Sequence, residues 1–316
     1  MVGSGYALDV AGPGGVLIAY GLAILAMYYV ITSLAEIVCQ VQPGEVLFTF
    51  GRGFISDGAA GFALRWNYFL SWIIGATYHF AAVGTTAGFW FRSSSHASNV
   101  MGLGGLIVSF VVILFSLSVY HRAELAVSAL TIGAFVVSIV LGINIVRGNI
   151  GNDREYGTSN MNDAAGGAFE SGVLGVMSAC VMSSFPVQGT EVVAVMISAT
   201  RNPVRNIRRI SLAVLAGLLA LFVASTFVAA LVVPFNDIRM LDRHDEDMAI
   251  PPLTVMFSES GVMPAAHAIN AVVLIESLFN ACTCLFVASR LLFTFACHGF
   301  APRWLLRLHY RRSPVL

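Results

Sequence analysis

The stretch Ser183–Arg209, SSFPVQGTEVVAVMISATRNPVRNIRR, decides how the chain is interpreted. It is an apolar run of membrane length that carries Pro186, Gly189 and Glu191 in its middle. An acid at bilayer depth costs a few kcal/mol, so its default interpretation is functional. Pro and Gly beside it predict a break in the helix, which a bilayer tolerates only where the backbone lines a cavity or is buried in protein. Broken helices at the midplane are typical of the substrate sites of secondary transporters.

Composition sets the broad class. Hydrophobic residues make up 57% of the 316 residues and charged residues 11%, and the mean hydropathy is +0.81. Soluble domains carry about one quarter charged residues, so these values predict a polytopic membrane protein in contact with lipid. The formal net charge of zero provides no electrostatic argument for a nucleic-acid partner. No paired histidines at metal-binding spacing and no G-x-S-x-G elbow occur, so the sequence does not predict an enzyme or a metal site.

Five cysteines lie in or beside apolar runs, which predicts free thiols. Cys282 and Cys284 are not predicted to bind zinc, because no second cysteine pair or histidine partner follows them.

Seven apolar runs approach the ~20 residues that a helix needs to cross a bilayer. They are 14–38, 61–91, 103–120, 125–147, 171–197, 210–234 and 265–290. The piece before the first run is too short to span. The sequence therefore predicts an all-α protein with seven full spans.

The arginines predict the orientation of these spans. Alternate connections hold twelve of the 17 arginines, and the other connections hold five together with most of the acids. Because loops rich in positive charge stay in the cytoplasm, the loop at 201–209 and the C-terminal tail at 305–316 are predicted to be cytoplasmic. The acidic loops at 148–167 and 236–249 are then predicted to face outside.

Six short motifs follow one another along the chain. They are Val2–Leu8 with Ala11-Gly12-Pro13, Phe62–Tyr68, Gly189-Thr190-Glu191, Asn202-Pro203 with Arg205 and Ile207, Val233–Asp237, and Ser289-Arg290 with Gly299, Ala301 and Pro302. In these motifs, and over essentially its whole length, the chain resembles the fungal-type amino acid permeases of the amino acid–polyamine–organocation (APC) superfamily.

The resemblance implies a LeuT-like transporter fold, in which two inverted five-helix repeats surround a site between broken helices one and six. Residues 1–147 correspond to a first repeat without half of helix one, and 171–316 to the start of the second repeat. The chain then covers the end of helix one through helix eight. The Gly-x-Gly break of helix one is expected upstream of Met1, and helices nine to twelve beyond Leu316.

The resemblance also implies a substrate site. Glu191 is expected to be the main acid of the cavity, binding substrate or a proton, with Phe185 as an aromatic gate and Thr190 as a hydroxyl donor. Gly189 and Pro186 are expected to form the helix break, whose exposed amides attract an anionic group. The alternative for Glu191 is a structural acid that bonds the loose backbone, and for Phe185 and Thr190 it is helix packing.

Two further residues are candidates for proton coupling. His79 lies mid-span, and histidine is the side chain that changes charge near neutral pH. It stands where many relatives carry a glutamate associated with cationic substrates, which favours neutral or broad-range amino acids. Glu276, which we place toward the end of the last span, is the other intramembrane acid. For both residues a structural hydrogen bond is the alternative.

The sequence thus predicts proton-coupled import of amino acids at the plasma membrane, driven by the proton gradient without a cofactor. A permease remnant or regulatory partner that does not transport is the main alternative, because the missing half of helix one would supply the donors for the substrate carboxylate. A channel, whose current does not saturate, is a weaker alternative.

Overall fold

The computed structural model describes residues 3–38, 58–91, 95–114, 117–151, 160, 168–185, 188–190, 210, 212–217, 219–234 and 250–306. Eight α-helices occur in these ranges: α1 (Gly3–Val38), α2 (Gly58–Phe91), α3 (Ser95–Leu114), α4 (Leu117–Val146), α5 (Gly172–Ser184), α6 (Ala224–Val232), α7 (Pro252–Glu259) and α8 (Met263–Cys297). A π-turn, Leu219–Val223, precedes α6, and a 3-10 turn, Arg303–Leu306, follows α8. The described ranges contain no strand, which confirms the all-α prediction.

Four helices in these ranges are long and apolar enough to cross a membrane. They are Gly3–Leu34, Tyr120–Val146, Leu212–Val232 and Met263–Cys297. The predicted span at 61–91 coincides with α2, which has the length for a bilayer with its 34 residues. The spans at 103–120 and 171–197 coincide with shorter apolar helices, Val100–Ser109 and Gly172–Ser184. The described part of the chain is therefore all-α, with several helices long and apolar enough to cross a membrane.

Helix α1 consists of two segments joined at Gly12. This residue has φ 70° and ψ 171°, and Pro13 follows it at the start of the second segment, where proline needs no N–H donor. The turn is attached to the chain before α5: the Gly14 N–H donates to the Ala168 carbonyl at 2.8 Å, and the Glu170 N–H donates to the Ala11 carbonyl at 3.1 Å. The turn expected at Ala11–Pro13 is present, and residues 3–11 are helical ahead of it.

The segment of α1 before Gly12 packs beside α5. Ala7, Leu8 and Ala11 share a buried cluster with Ala179 of α5. The Ser183 hydroxyl of α5 donates to the Ala19 carbonyl of α1 at 3.2 Å. Two short helical segments thus lie side by side.

Helix α8 is the central helix of the bundle, with α2 antiparallel to it. Near the start of α2, the Arg65 guanidinium lies 4.3 Å from the centre of the Phe300 ring. At the other end of α2, Trp90 Nε1–H donates to His267 Nδ1 at 2.9 Å.

Helix α4 also runs antiparallel to α8. The Tyr120 ring, at its start, lies 6.2 Å from the Phe286 ring, and Ile145, at its end, shares a core cluster with Ile269. Arg65, Arg122 and Arg290 therefore lie at one end of the bundle, which we call the arginine end.

Gly12 is a position at which the backbone restricts the side chain. A Cβ at position 12 would lie 2.8 Å from the Ala168 carbonyl oxygen, and the residue that carries it would have to adopt a positive φ. We expect Gly12→Ala to lower the free energy of unfolding by about 1–3 kcal/mol. The measurement is unfolding of the purified protein in detergent micelles.

Gly21→Ala is the matched control on the same helix. Its Cβ would have nothing within 4 Å, and alanine favours a helix over glycine. We expect this variant to be as stable as the parent or more stable by up to about 1 kcal/mol. Equal destabilisation by both substitutions would contradict the role assigned to Gly12.

Candidate functional site

A cavity of about 550 Å³ lies between α1, α2, α4, α5, the π-turn and α8. Pockets for small ligands commonly measure about 300–1,000 Å³, so the cavity has the size of a ligand site. Its polar and aromatic lining includes Gly3, Ser4, Tyr20, Tyr78, His79, Glu124, Thr131, Phe185, Gln188, Glu276, Asn280 and Thr283.

Tyr78, near the middle of α2, joins three helices at this cavity. Its hydroxyl oxygen accepts the N–H of Gly3 at 3.0 Å, at the first described turn of α1. Its ring stacks on Phe185, which caps α5, with 5.0 Å between centroids and 21° between planes. The neighbouring His79 lines the same cavity. The hydroxyl that accepts from Gly3 keeps its own proton, which it can donate toward a ligand.

Helix α5 ends at Ser184, inside the apolar run at 171–197. Gly189 follows with φ 93°, a conformation that glycine adopts without steric cost. The Gln188 side-chain amide donates to the Ser71 carbonyl of α2 at 3.2 Å, so the turn after α5 is attached to α2. The predicted interruption of this run is therefore present. Pro186 lies outside the described residues.

Helix α8 contributes a polar face on the opposite wall. Glu276, Asn280 and Thr283 line the cavity at helical spacing, and the Asn280 side chain hydrogen-bonds the Glu276 carboxyl group. The Thr283 hydroxyl lies 2.8 Å from Glu124 Oε1 of α4, to which it donates. The cavity therefore holds two carboxyl groups, one on each of the facing helices α4 and α8.

The structure brings three of the predicted site residues together. Phe185, His79 and Glu276 all line the cavity. Gly189 and Thr190 lie in the turn that follows Gln188 and are not among the lining residues that the structure describes. Glu191, expected to be the main acid, lies outside the described residues, so its role stays a prediction.

The predicted place of Glu276 was wrong. It lies near the middle of α8, which spans Met263–Cys297. It is also close to the midpoint of the predicted span at 265–290, so the span itself already indicated a central position.

Sequence reasoning missed several lining residues. Tyr78 and Gln188 are flanked by predicted residues but were not singled out. Glu124 was missed because it stands one residue before the predicted span at 125–147. The spacing of Glu276, Asn280 and Thr283 (i, i+4 and i+7) was a signal in the sequence that these side chains share one helix face.

The thiol prediction is confirmed for the cysteines that the structure describes. Cys180, Cys282, Cys284 and Cys297 are all free. Among the described residues there is also no group of three or more His, Cys, Asp or Glu side chains that could hold a metal ion.

The comparison with protein families decides the identity of the chain. The amino acid permease model matches residues 1–316. The chain belongs to the amino acid permease family. This permease-family chain thus shares its ancestry with transporters of the APC superfamily, as its motifs predicted.

Its relatives come from bacteria and fungi. The lysine-specific permease LysP of Escherichia coli is 28% identical over 97% of this chain and 62% of its own length. The general amino-acid permease GAP2 of Candida albicans is 28% identical over 96% of this chain and 51% of its own length. The histidine permease HisP of Lactococcus lactis is 25% identical over 95% of this chain and 62% of its own length. The chain thus spans about half to three fifths of the length of these relatives.

Cysteine labelling tests the cavity. In a background with serine at positions 39, 180 and 297, we expect Asn280→Cys to react with a water-soluble methanethiosulfonate, because position 280 lines the cavity. The control Ala281→Cys, at a position with no exposed surface, is expected to stay unlabelled. Labelling at the two positions at the same rate would contradict the assignment of position 280 to the cavity wall.

Proposed function

We propose that this permease-family protein moves amino acids across a membrane by alternating access, and that a proton gradient drives their import. The observation that carries the proposal is the cavity at which the kinked α1 and the interrupted α5 meet. Secondary transporters place substrate sites where broken helices leave backbone groups free to bind charged groups. The family membership supports amino acids as the substrate class.

The geometry supports binding of a small polar molecule with an apolar portion. Tyr78 and Phe185 form a stacked aromatic wall, and the Tyr78 hydroxyl provides a donor beside the first turn of α1. Glu276 and Asn280 provide acceptors and a donor from α8. An amino acid needs donors for its carboxylate, acceptors for its ammonium group and an apolar surface for its side chain, and this lining supplies all three.

We propose neutral or broad-range amino acids as substrates. A histidine, His79, lies in the cavity wall at the place where an acid is associated with cationic substrates in many relatives. The relatives include two proteins named for lysine and histidine and one named a general permease, so the choice among these classes needs a direct measurement.

The proposed orientation places the arginine end in the cytoplasm of a plasma-membrane protein. The arginine end holds Arg65, Arg122 and Arg290, as the ring contacts beside them show. Arg147 lies just past the opposite end of α4. The positive-inside rule assigns the end with more arginines to the cytoplasm.

Uptake of labelled amino acids tests the function. The native gene product is expressed in cells that lack their own permeases, with leucine, serine, lysine and histidine as substrates. We expect saturable uptake that unlabelled substrate competes with and that a protonophore abolishes. Uptake without saturation would indicate a channel, and no uptake of any amino acid would indicate a partner or remnant without transport activity.

Phe185 gives a matched pair of variants for the same assay. We expect Phe185→Ala to lower the specificity constant for uptake by about tenfold, because it removes the ring stacked on Tyr78. Phe62→Ala removes an exposed phenylalanine that is not among the described lining residues, and we expect uptake within about twofold of the parent. Equal effects of both variants would contradict a role of Phe185 in the site.

Thiol labelling from outside the cell tests the orientation. Cys297 is exposed at the arginine end, and we expect an impermeant thiol reagent to label it in inverted vesicles but not in intact cells. Asn149→Cys, exposed at the opposite end, is expected to show the reverse pattern. The opposite result at both positions would invert the proposed topology.

A further inference from the structure

Two rows of polar side chains face the cavity from adjacent helices. Each row follows the i, i+4, i+7 spacing that places residues on one face of a helix. The rows are Glu124, Ser128 and Thr131 on α4 and Glu276, Asn280 and Thr283 on α8, all of which line the cavity. Polar residues at bilayer depth are costly, so a pair of facing polar rows requires an explanation.

Hydrogen bonds join the two rows near the arginine end. The Thr283 hydroxyl donates to Glu124 Oε1 at 2.8 Å, and the Tyr120 hydroxyl lies 2.6 Å from the Thr283 oxygen. His121 Nδ1 lies 3.7 Å from Glu124 Oε2, and its side chain is 53% exposed. Glu124 thus lies between a part-buried hydroxyl pair and an exposed imidazole.

The hydroxyl arrangement satisfies Glu124 in both of its protonation states. When Glu124 is ionised, Thr283 donates to the carboxylate and accepts from Tyr120. When Glu124 is protonated, it can donate to the Thr283 oxygen, because the Thr283 proton has a second acceptor, the Phe279 carbonyl, at 3.1 Å. A hydroxyl oxygen accepts two hydrogen bonds, so Tyr120 keeps its own bond in both states. Neither state leaves a polar group of this cluster without a partner.

Thr131 supplies an independent observation. It is only 9% exposed and lines the cavity, and its Oγ1 has no hydrogen-bond partner in the described structure. Unpartnered buried hydroxyls are rare, and water is the common partner where space is available. The Thr131 Oγ1 is itself enclosed by protein, so the space for water along the seam is the adjoining cavity of about 550 Å³.

We propose that the α4–α8 seam is a proton path that connects Glu276 in the middle of the cavity to Glu124 and His121 at the arginine end. This inference rests on the proposed function and assigns to it a route for the coupled proton. The first and last residues of the α8 row, Glu276 and Thr283, are about 10 Å apart along the helix axis, a distance that a short chain of water molecules bridges.

The proton balance is simple. Protonated Glu276 releases its proton to the adjacent water, and the chain of waters and hydroxyls passes a proton to the Glu124 carboxylate. Glu124 then releases a proton to His121 or to bulk water at the arginine end. One proton moves per cycle, both carboxyl groups end ionised, and no electron is transferred.

The other titratable groups around the path are few within the described residues. Tyr20 of α1 and Tyr78 and His79 of α2 face Glu276 across the cavity. Tyr120 and His121 of α4, and Cys282 and Cys284 of α8, lie near Glu124. Arg122 is the nearest described cation in sequence to Glu124, from the same helix.

Infrared spectroscopy tests the path without any need for transport. The native gene product in lipid is titrated with acid while the carbonyl stretch of protonated carboxylic acids is recorded. We expect a pH-dependent band that Glu124→Gln removes and Thr283→Val shifts. Thr283→Ser, which keeps the hydroxyl, is expected to restore the parent band. A pH-dependent spectrum that is the same in the parent and in Glu124→Gln would overturn the proposal.

Transport measurements in liposomes supply the second readout. We expect Glu124→Gln to lose pH-driven accumulation by about tenfold or more beyond any loss of exchange of labelled for unlabelled amino acid, because only net proton movement needs the path. Thr85→Val is the control for removal of a threonine hydroxyl outside the cavity. The Thr85 hydroxyl bonds its own helix, as the Thr283 hydroxyl does, but Thr85 is not among the described lining residues. It is expected to retain both activities.

The outcomes separate the two proposals. Normal pH-driven accumulation by Glu124→Gln, or equal loss of exchange and accumulation, would overturn the proton path while leaving amino acid transport intact. If the parent shows neither exchange nor accumulation, the proposed function fails, and the infrared band of Glu124 still decides whether the seam binds a proton.

Discussion

The need to satisfy backbone hydrogen bonds without help from lipid is the constraint on which the site depends. An intact helix meets it internally, so a helix can stop inside the bilayer only where other protein groups bond its end. The turn at Gly12 meets this condition through Ala168, and the chain after α5 is attached to α2 through the Gln188 side chain. The helix ends and the cavity between them are therefore parts of one arrangement.

Helix α2 provides the fixed reference for that arrangement. Its Tyr78 hydroxyl bonds α1, its Ser71 carbonyl accepts from Gln188, and Trp90 bonds His267 of α8. A single helix therefore bonds α1, the turn after α5 and α8 around the cavity.

The polar seam between α4 and α8 and the aromatic wall of Tyr78 and Phe185 divide the cavity between two kinds of chemistry. The aromatic wall contributes apolar contact area, and the seam contributes carboxyl, amide and hydroxyl groups. A transporter that couples substrate to protons needs both kinds of surface in contact with one volume. Thr283 links the two carboxyl-bearing helices because it can reverse its hydrogen bond at little cost.

The sequence alone was sufficient to predict an all-α membrane protein, its family and the end of α5 near Gly189. The signals were hydropathy, the Pro and Gly of the 183–209 stretch and the six motifs, and all of these signals are local in the sequence. The sequence also singled out Phe185, His79 and Glu276, since polar or aromatic residues at bilayer depth are conspicuous. It did not predict that Tyr78 would join three helices or that Glu124 would bond Thr283. Glu124 and Thr283 are separated by more than 150 positions in the chain. Such pairs exist only after helices distant in the chain have packed together, so the tertiary structure alone decided which polar groups share the cavity.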